Sequence, residues 1–360
     1  MADGEVTLAL VGDLFVQRPE PESMFAHAAP YLREADIAFG NLEGMIADPK
    51  YLTEPQATRA FSSEERMLSA YTYAGIDGVG VANNHSMNQG LASLLRCTEL
   101  LDEAGIAHAG GGRNLEEARS PAIIERNGTK VAFLAYSSVF SPSFAATADR
   151  GGIATVRVAT SYEPPARLAE VPGASPIIHT HADPQDVAAM QEDVASAKER
   201  ADVVVVSWHW GLSQATGGPN AGKILESQVA TAHAAVDAGA DLVMGHHPHV
   251  LEGIEVYNGR AVFYSLGNFA SESNANSRET ILVRCVIREG AIQRVSFIPT
   301  RINEQAQPVP VEPEAGRDIV ELVGELSEPF DTLFQVGESE VTVEIPEGRV
   351  AASGGARSLG

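Results

Sequence analysis

Cysteine is nearly absent from this chain: Cys97 and Cys285 are the only two in 360 residues. They lie far apart and in no metal-ligand spacing, Cys97 within an apolar helical pattern and Cys285 within a strand-like run. Two buried thiols are expected, rather than a disulfide, a thiolate site or a nucleophile. Basic residues are scarce as well. Lys and Arg number 25 against 48 Asp and Glu, a net charge of −23. An acidic surface of that size repels phosphate backbones, so nucleic acid is not expected as a non-specific partner. Also missing is any apolar run near the roughly 18 residues of a membrane span. A strand pattern begins almost at Met1 with nothing before it that reads as a signal peptide, so a cytoplasmic chain is expected. Hydrophobic residues make up 44% of the chain and charged residues 20%. That balance supplies a large core, in one large domain or two smaller ones.

What is present is a rhythm of short strands and helices. Residues 6–11 form an apolar strand that ends at Gly12-Asp13. A helix pattern covers about 21–33, and strand-like residues 35–39 lead into Asn41-Leu42-Glu43-Gly44. Ser62 opens a helix signature with Glu64 and Glu65 in its first turn, ending near Gly75. A strand at 76–81 stops at Asn83-Asn84-His85, and Leu91, Leu94, Leu95, Thr98 and Leu101 mark an amphipathic helix closed by Gly105. Residues 130–136 form a further buried strand. From 137 to about 185 the pattern breaks into an irregular insert. Helical spacing returns at Val187, Met190, Val194 and Ala197, followed by a strand at 203–206 that runs into Trp208-His209-Trp210. A helix at 227–238 feeds a strand at 241–244 and then Gly245-His246-His247-Pro248-His249.

Beyond that point the rhythm changes. A hairpin is expected on Asn258-Gly259, with more strands at 280–287 and 295–299. The body of the protein is expected to span 1–303. Pro- and Glu-rich residues 305–316 read as a linker within an extension, 304–346, that packs back on the body. Residues 347–360 read as a disordered tail.

Five of the strands end in polar or metal-capable residues, and open α/β sheets build their sites at the carboxyl ends of strands. Taken singly these residues are weak signals, since an Asp after a strand serves equally well as a cap or turn residue. His247 and His249 are stronger, because residues two apart in an extended segment face the same side and Pro248 stiffens it. Together, Asp13, Glu43, Asn84, His209, His247 and His249 make a candidate ligand set. Carboxylate, amide oxygen and imidazole in one set suit Mn²⁺, Fe²⁺ or Zn²⁺. Two such ions sharing a bridging ligand activate water for hydrolysis. His85 is the candidate proton donor.

Arg18, Asn41, Trp210, Lys223 and His181 are candidates for contact with the substrate, Arg18 and Lys223 as partners for an anionic group. His179 and His181 lie in the insert with no carboxylate strand end beside them, so a second metal site is not expected there. Residues 217–223 have the Gly and Lys spacing of a P-loop. Ile224 replaces its hydroxyl residue and no strand directly precedes it, so ATP binding is not expected.

The series Gly12-Asp13, Asn41-Leu42-Glu43-Gly44, Ala82-Asn83-Asn84-His85, His209-Trp210-Gly211, Gly245-His246-His247-Pro248-His249-Val250 and Tyr264-Ser265-Leu266-Gly267-Asn268-Phe269 resembles the signature series of the CapA family. These are the poly-gamma-glutamate capsule biosynthesis proteins of the calcineurin-like metallophosphoesterase superfamily. The resemblance runs over roughly residues 6 to 270 and implies a four-layer αββα sandwich with a dinuclear site at one edge of its paired sheets. It implies Asp13 as first metal ligand, Glu43 as the bridging carboxylate, Asn84, His209, His247 and His249 as the remaining ligands, and His85 as the catalytic His. The superfamily usually has a His two residues after the first Asp; this chain has Phe15 there. The implied activity is metal-dependent hydrolysis of a phosphoester or amide-type bond in an anionic small or oligomeric substrate. The alternative is a non-catalytic component of capsule assembly that keeps the metal-binding fold.

Overall fold

In the strand Val203–His209, Val203 and Val205 belong to one apolar cluster, while Val204, Val206 and Trp208 belong to another. Successive strand side chains point to opposite faces, so this strand is covered on both sides and sits in an inner layer. Residues 129–137 repeat the pattern: Val131, Phe133 and Ala135 face the first cluster, Ala132, Leu134 and Tyr136 the second.

The computed structural model describes residues 4–346 apart from 52–59, 167–169, 172, 214, 216, 218–221 and 273–276. Much of the glycine-rich stretch 217–223, and the whole of the tail expected at 347–360, lie outside the described residues. In chain order the elements are β1 (Val6–Phe15), α1 (Ala29–Glu34), β2 (Ile37–Leu42), α2 (Leu68–Ala74), β3 (Gly78–Gly80), α3 (Leu91–Glu103), β4 (Ala107–Ala109), β5 (Ala122–Arg126) and β6 (Thr129–Ser137). Next come β7 (Val158–Glu163), β8 (Ile177–Ala182), α4 (Pro184–Lys198), β9 (Val203–His209), α5 (Glu226–Asp237), β10 (Leu242–His246), β11 (Ile254–Tyr257) and β12 (Arg260–Phe263). The chain continues through β13 (Asn268–Ser271), β14 (Glu279–Arg288), β15 (Ala291–Ile302), β16 (Pro308–Pro310), α6 (Arg317–Ser327), β17 (Phe334–Val336) and β18 (Val341–Val343).

Among the described residues there are two large sheets. One is ten-stranded, in the order β17-β18-β15-β14-β1-β2-β3-β4, with β13 also on β1 and β16 on β15; the other is six-stranded, β11-β12-β10-β9-β6-β5. They pack face to face. Phe39 stacks on Phe133 across the interface at 4.2 Å between centroids, and Gly80 lies against Ala135 and Ser207. Helices α1 and α3 pack on the first sheet and α4 and α5 on the second. The result is a four-layer αββα sandwich. β1, β2 and β3 run parallel, as do β6, β9 and β10, so their carboxyl ends gather at one edge of each sheet.

Several expectations meet the structure differently. The single helix at 21–33 is a 3-10 turn (Pro21–Phe25) followed by α1, because Pro30 lacks an N–H and fits only the first turn of a helix. Ser62 and Ser63 form a short strand paired with Met45 and Ile46, and Ser63 Oγ donates to Val16 O instead of capping; the helix starts at Leu68. The expected linker at 305–316 contributes β16 to the sheet. The irregular insert holds a hairpin, β7–β8. The Asn258-Gly259 hairpin forms as read, both turn residues taking positive φ (48° and 75°). Cys97 and Cys285 are free and buried.

Candidate metal centre

The two sets of parallel strand ends bring five polar segments together. Asp13 lies near the end of β1, where its N–H donates to Gly267 O at 3.1 Å. That approach requires glycine at position 12: a Cβ there would lie 1.9 Å from the Gly267 oxygen. Glu43 follows β2 directly. Asn83, Asn84 and His85 follow β3 and Val81-Ala82. His209 ends β9, and His246, His247 and His249 leave β10.

Two three-residue groups result, each with ligand atoms within 4.8 Å of one another: Asp13, Glu43 and His249, and Glu43, His209 and His247. Glu43 is common to both, the geometry of a bridging carboxylate. Asn84 Oδ1 joins the second group at 2.9 Å from His209 Nε2. The extended segment expected for His247-Pro248-His249 is not what brings these residues in. His247 and His249 both adopt positive φ (95° and 60°), and this bent loop sends one imidazole to each group. Non-glycine residues held in that region cost energy that the surrounding structure must supply, and they gather at functional sites.

The electrostatics fit a cation. Glu43 is fully buried, neither carboxylate oxygen has a hydrogen-bond partner, and His247 Nδ1 is likewise unpartnered. Burying an unpaired carboxylate is costly; burial, then the nearby Asp13 charge, push Glu43 up to about 8. Burial works in the same direction on Asp13, but the His249 and His246 imidazoles and the Asn41 amide outweigh it and hold its carboxyl below the ordinary value. Burial lowers His247 to about 3 and His246 to about 4, and takes His209 well below the usual imidazole range. His249 is opposed by burial and still rises to about 9, driven by Glu43 and Asp13. Neutral imidazoles and orphaned carboxylate oxygens facing one another are a donor set for divalent ions.

His85 stands at the rim. Its Nε2 is 4.0 Å from Glu43 Oε1. Asn88 Nδ2 donates both to Ala60 O (3.0 Å) and to His85 Nδ1 (2.8 Å). A carbonyl can only accept, so the orientation of the Asn88 amide is fixed. Asn84 Nδ2 lies 3.4 Å from His85 Nε2 on the other side, so amide groups hold the ring at both of its nitrogens.

The substrate-contact candidates fare differently. Asn41 is buried, and its Nδ2 donates to Asp13 Oδ1 (2.7 Å) and lies 3.3 Å from His209 Nδ1, so it orients ligands and does not face a substrate. Trp210 is 1% exposed: its indole N–H donates to Tyr264 O and its ring stacks with Trp208 and Tyr264, which makes it core and not a pocket wall. Arg18 is paired with Glu272 (2.5 Å) and bonded to Gln305 O (2.6 Å). His181 sits on the β7–β8 hairpin against Ser161, and Lys223 is exposed just ahead of α5.

The sequence reading missed His246, Asn88 and Asn268. His246 is fully buried with its Nδ1 3.6 Å from Asp13 Oδ1, hidden by the more conspicuous His-Pro-His. Asn88 had only its spacing of three from His85. Asn268, whose Oδ1 is 3.1 Å from His249 Nδ1, stood in a motif read only for likeness. Asn268 also opens on a cavity of about 390 Å³ lined by Ser271, Glu272, Arg278, Asn303 and Gln305. A second cavity, about 480 Å³ between Arg119, Asp193 and Arg200, shares no residue with the centre.

The paired-sheet αββα sandwich thus gathers carboxylates and imidazoles at its joined strand ends. The chain matches the family model of the bacterial capsule synthesis protein PGA_cap over residues 7–273, and it belongs to that family. It is 29% identical over 318 residues to the capsule biosynthesis protein CapA of Bacillus anthracis, covering 85% of this chain and 70% of that one. It is 27% identical over 354 residues to the PGA biosynthesis protein CapA of Bacillus subtilis (strain 168), covering 96% and 83%. A Staphylococcus aureus chain provisionally named a 5′-nucleotidase, solved with alpha-ketoglutarate, aligns at 13% identity and a TM-score of 0.43, covering 89% of this chain and 58% of that one.

Proposed function

We propose that this protein is a metal-dependent hydrolase acting on an anionic substrate, with two divalent ions (Mn²⁺, Fe²⁺ or Zn²⁺) held by Asp13, Glu43, Asn84, His209, His247 and His249. The observation that carries the proposal is the buried, unpartnered Glu43 carboxylate shared by two ligand groups. Ions held there supply Lewis acidity that polarises a phosphoryl or acyl oxygen and makes water a nucleophile near neutral pH. The chain does the rest. Asn41 fixes Asp13 and His209 against each other, and Asn268 steadies His249. His85, which burial lowers to about 4 and so keeps neutral near pH 7, stands 4.0 Å from Glu43, within one substrate group of the centre, where it orients the leaving group.

The relatives named for capsule biosynthesis support a second reading, an assembly or binding component that keeps the centre without turnover. Metal analysis of the purified chain followed by reconstitution, with a phosphoester and a glutamyl amide as substrates, separates the two. A hydrolase binds about two ions per chain and turns one substrate over, with loss in a chelator. His247→Ala then lowers metal content and turnover together. Full metal occupancy with no turnover of either substrate favours the assembly reading, and metal retained in His247→Ala overturns the ligand assignment.

A further inference from the structure

Phe15 occupies the position where the superfamily usually carries a metal-binding His, and the structure gives it a different neighbour: its ring lies 5.2 Å from that of Phe61. Phe61 in turn stacks nearly parallel on His85, 3.8 Å between centroids and 12° between planes. The backbone that delivers Phe61 is held in a rare conformation, φ +50° for a bulky residue. It rests on Gly44, the residue after Glu43, where a Cβ would come within 2.4 Å of Phe61 O. Pairing of Ser62 and Ser63 with Met45 and Ile46 ties the segment down on its far side. The residue before Phe61 contributes as well, since Ala60 O fixes the Asn88 amide that holds His85 Nδ1.

From these contacts we infer that Phe61, backed by Phe15, is a positioning residue that fixes the plane of the His85 imidazole against the metal centre. An imidazole on a single-bonded side chain has two rotations to lose. Asn88 fixes the rotation within the ring plane, and the Phe61 face fixes the tilt of that plane. The two rings lie face against face in van der Waals contact, so the Phe61 ring limits how far the imidazole plane can tilt. Strain at Phe61 is the kind of cost that persists only where neighbouring structure imposes it. The apolar ring at position 15 packs against Phe61 and so stands behind the ring that covers His85.

This inference rests on His85 being a catalytic group, and the experiment keeps the two apart. The full chain and its Phe61→Leu, Phe61→Tyr, Phe15→Leu and His85→Ala variants are compared in three ways: bound zinc, kcat and KM after Zn²⁺ reconstitution, and His85 ring resonances by NMR in the metal-free state. Phe61→Leu is expected to keep its zinc and its KM, to lose the ring-current shift of His85, and to lower kcat by about tenfold or more, the scale on which small misplacements of a reacting group act. Phe61→Tyr, which keeps the ring, restores both the shift and kcat. Phe15→Leu leaves the strained backbone alone and gives an intermediate loss of both, which serves should Phe61→Leu fail to fold. Unchanged His85 resonances in Phe61→Leu overturn the stack. An altered resonance with wild-type kcat, while His85→Ala loses turnover, overturns the positioning role alone. Wild-type kcat in His85→Ala overturns the catalytic role of His85 and, with it, that of Phe61.

Discussion

Glu43 Oε1 lies 3.5 Å from His249 Nε2, and both groups hold protons well above their ordinary range, Glu43 to about 8 and His249 to about 9. Neither proton can stay when a cation binds, because ligands must be deprotonated. Apparent affinity for Zn²⁺ is therefore expected to climb steadily from about pH 6 to about pH 9, with net proton release on binding. Calorimetry in two buffers of different ionisation enthalpy measures that release. An affinity that is flat over this range, with no proton released, would remove Glu43 and His249 from the ligand set.

The same groups set the acid and base limits of the metal-free chain. His247 at about 3 and His246 at about 4 are below the free imidazole value of 6.5, so their contribution is present above 6.5 and lost as pH falls toward 3. Glu43 has the opposite sign. Its raised value means stability is lost as pH rises from 4.5 through about 8. The thermal midpoint of metal-free protein is expected to decline on both sides of a maximum near pH 6, and added metal is expected to flatten the alkaline side. A scan of unfolding temperature against pH, with and without Zn²⁺, checks both signs.

Gly12 and Gly267 meet backbone to backbone beside Asp13. Gly12→Ala would force a methyl group into a carbonyl oxygen that cannot rotate away, and the expected cost is on the order of 3 kcal/mol. Denaturant unfolding reads the loss directly. Because the displaced strand carries Asp13, metal content in the surviving folded fraction is expected to fall as well. A variant with wild-type stability and metal content would show that β1 and β13 can separate without disturbing the centre.

Much of the centre was legible in the chain because its logic is local. Strand, turn and candidate ligand follow one another within a few residues: Glu43 directly follows β2, His209 ends β9, His247 and His249 follow β10, Asp13 sits near the end of β1 and Asn84 just beyond Val81-Ala82. Where the reading failed, a distant partner decided the outcome. Asn41 and Trp210 look exposed from their place beside a motif, yet one is consumed by Asp13 and the other by Tyr264. Arg18 looks free until Glu272, far along the chain, is brought beside it. The His-Pro-His geometry was misjudged for the same reason: spacing suggests an extended segment, but the φ angles of His247 and His249 are imposed by packing at the sheet edge.

The sequence by itself determined the strands that carry the site, the composition of a candidate metal-binding set and the family to which the chain belongs. These depend on side-chain pattern and on chemistry carried by single residues. Only the tertiary structure decided that Glu43 is shared by two candidate ligand groups, that the Asn88 amide is pinned by Ala60 O where it meets His85, and that Phe15 backs the Phe61 ring. Each of those facts depends on segments far apart in the chain, brought within contact distance only when the two sheets pack on one another.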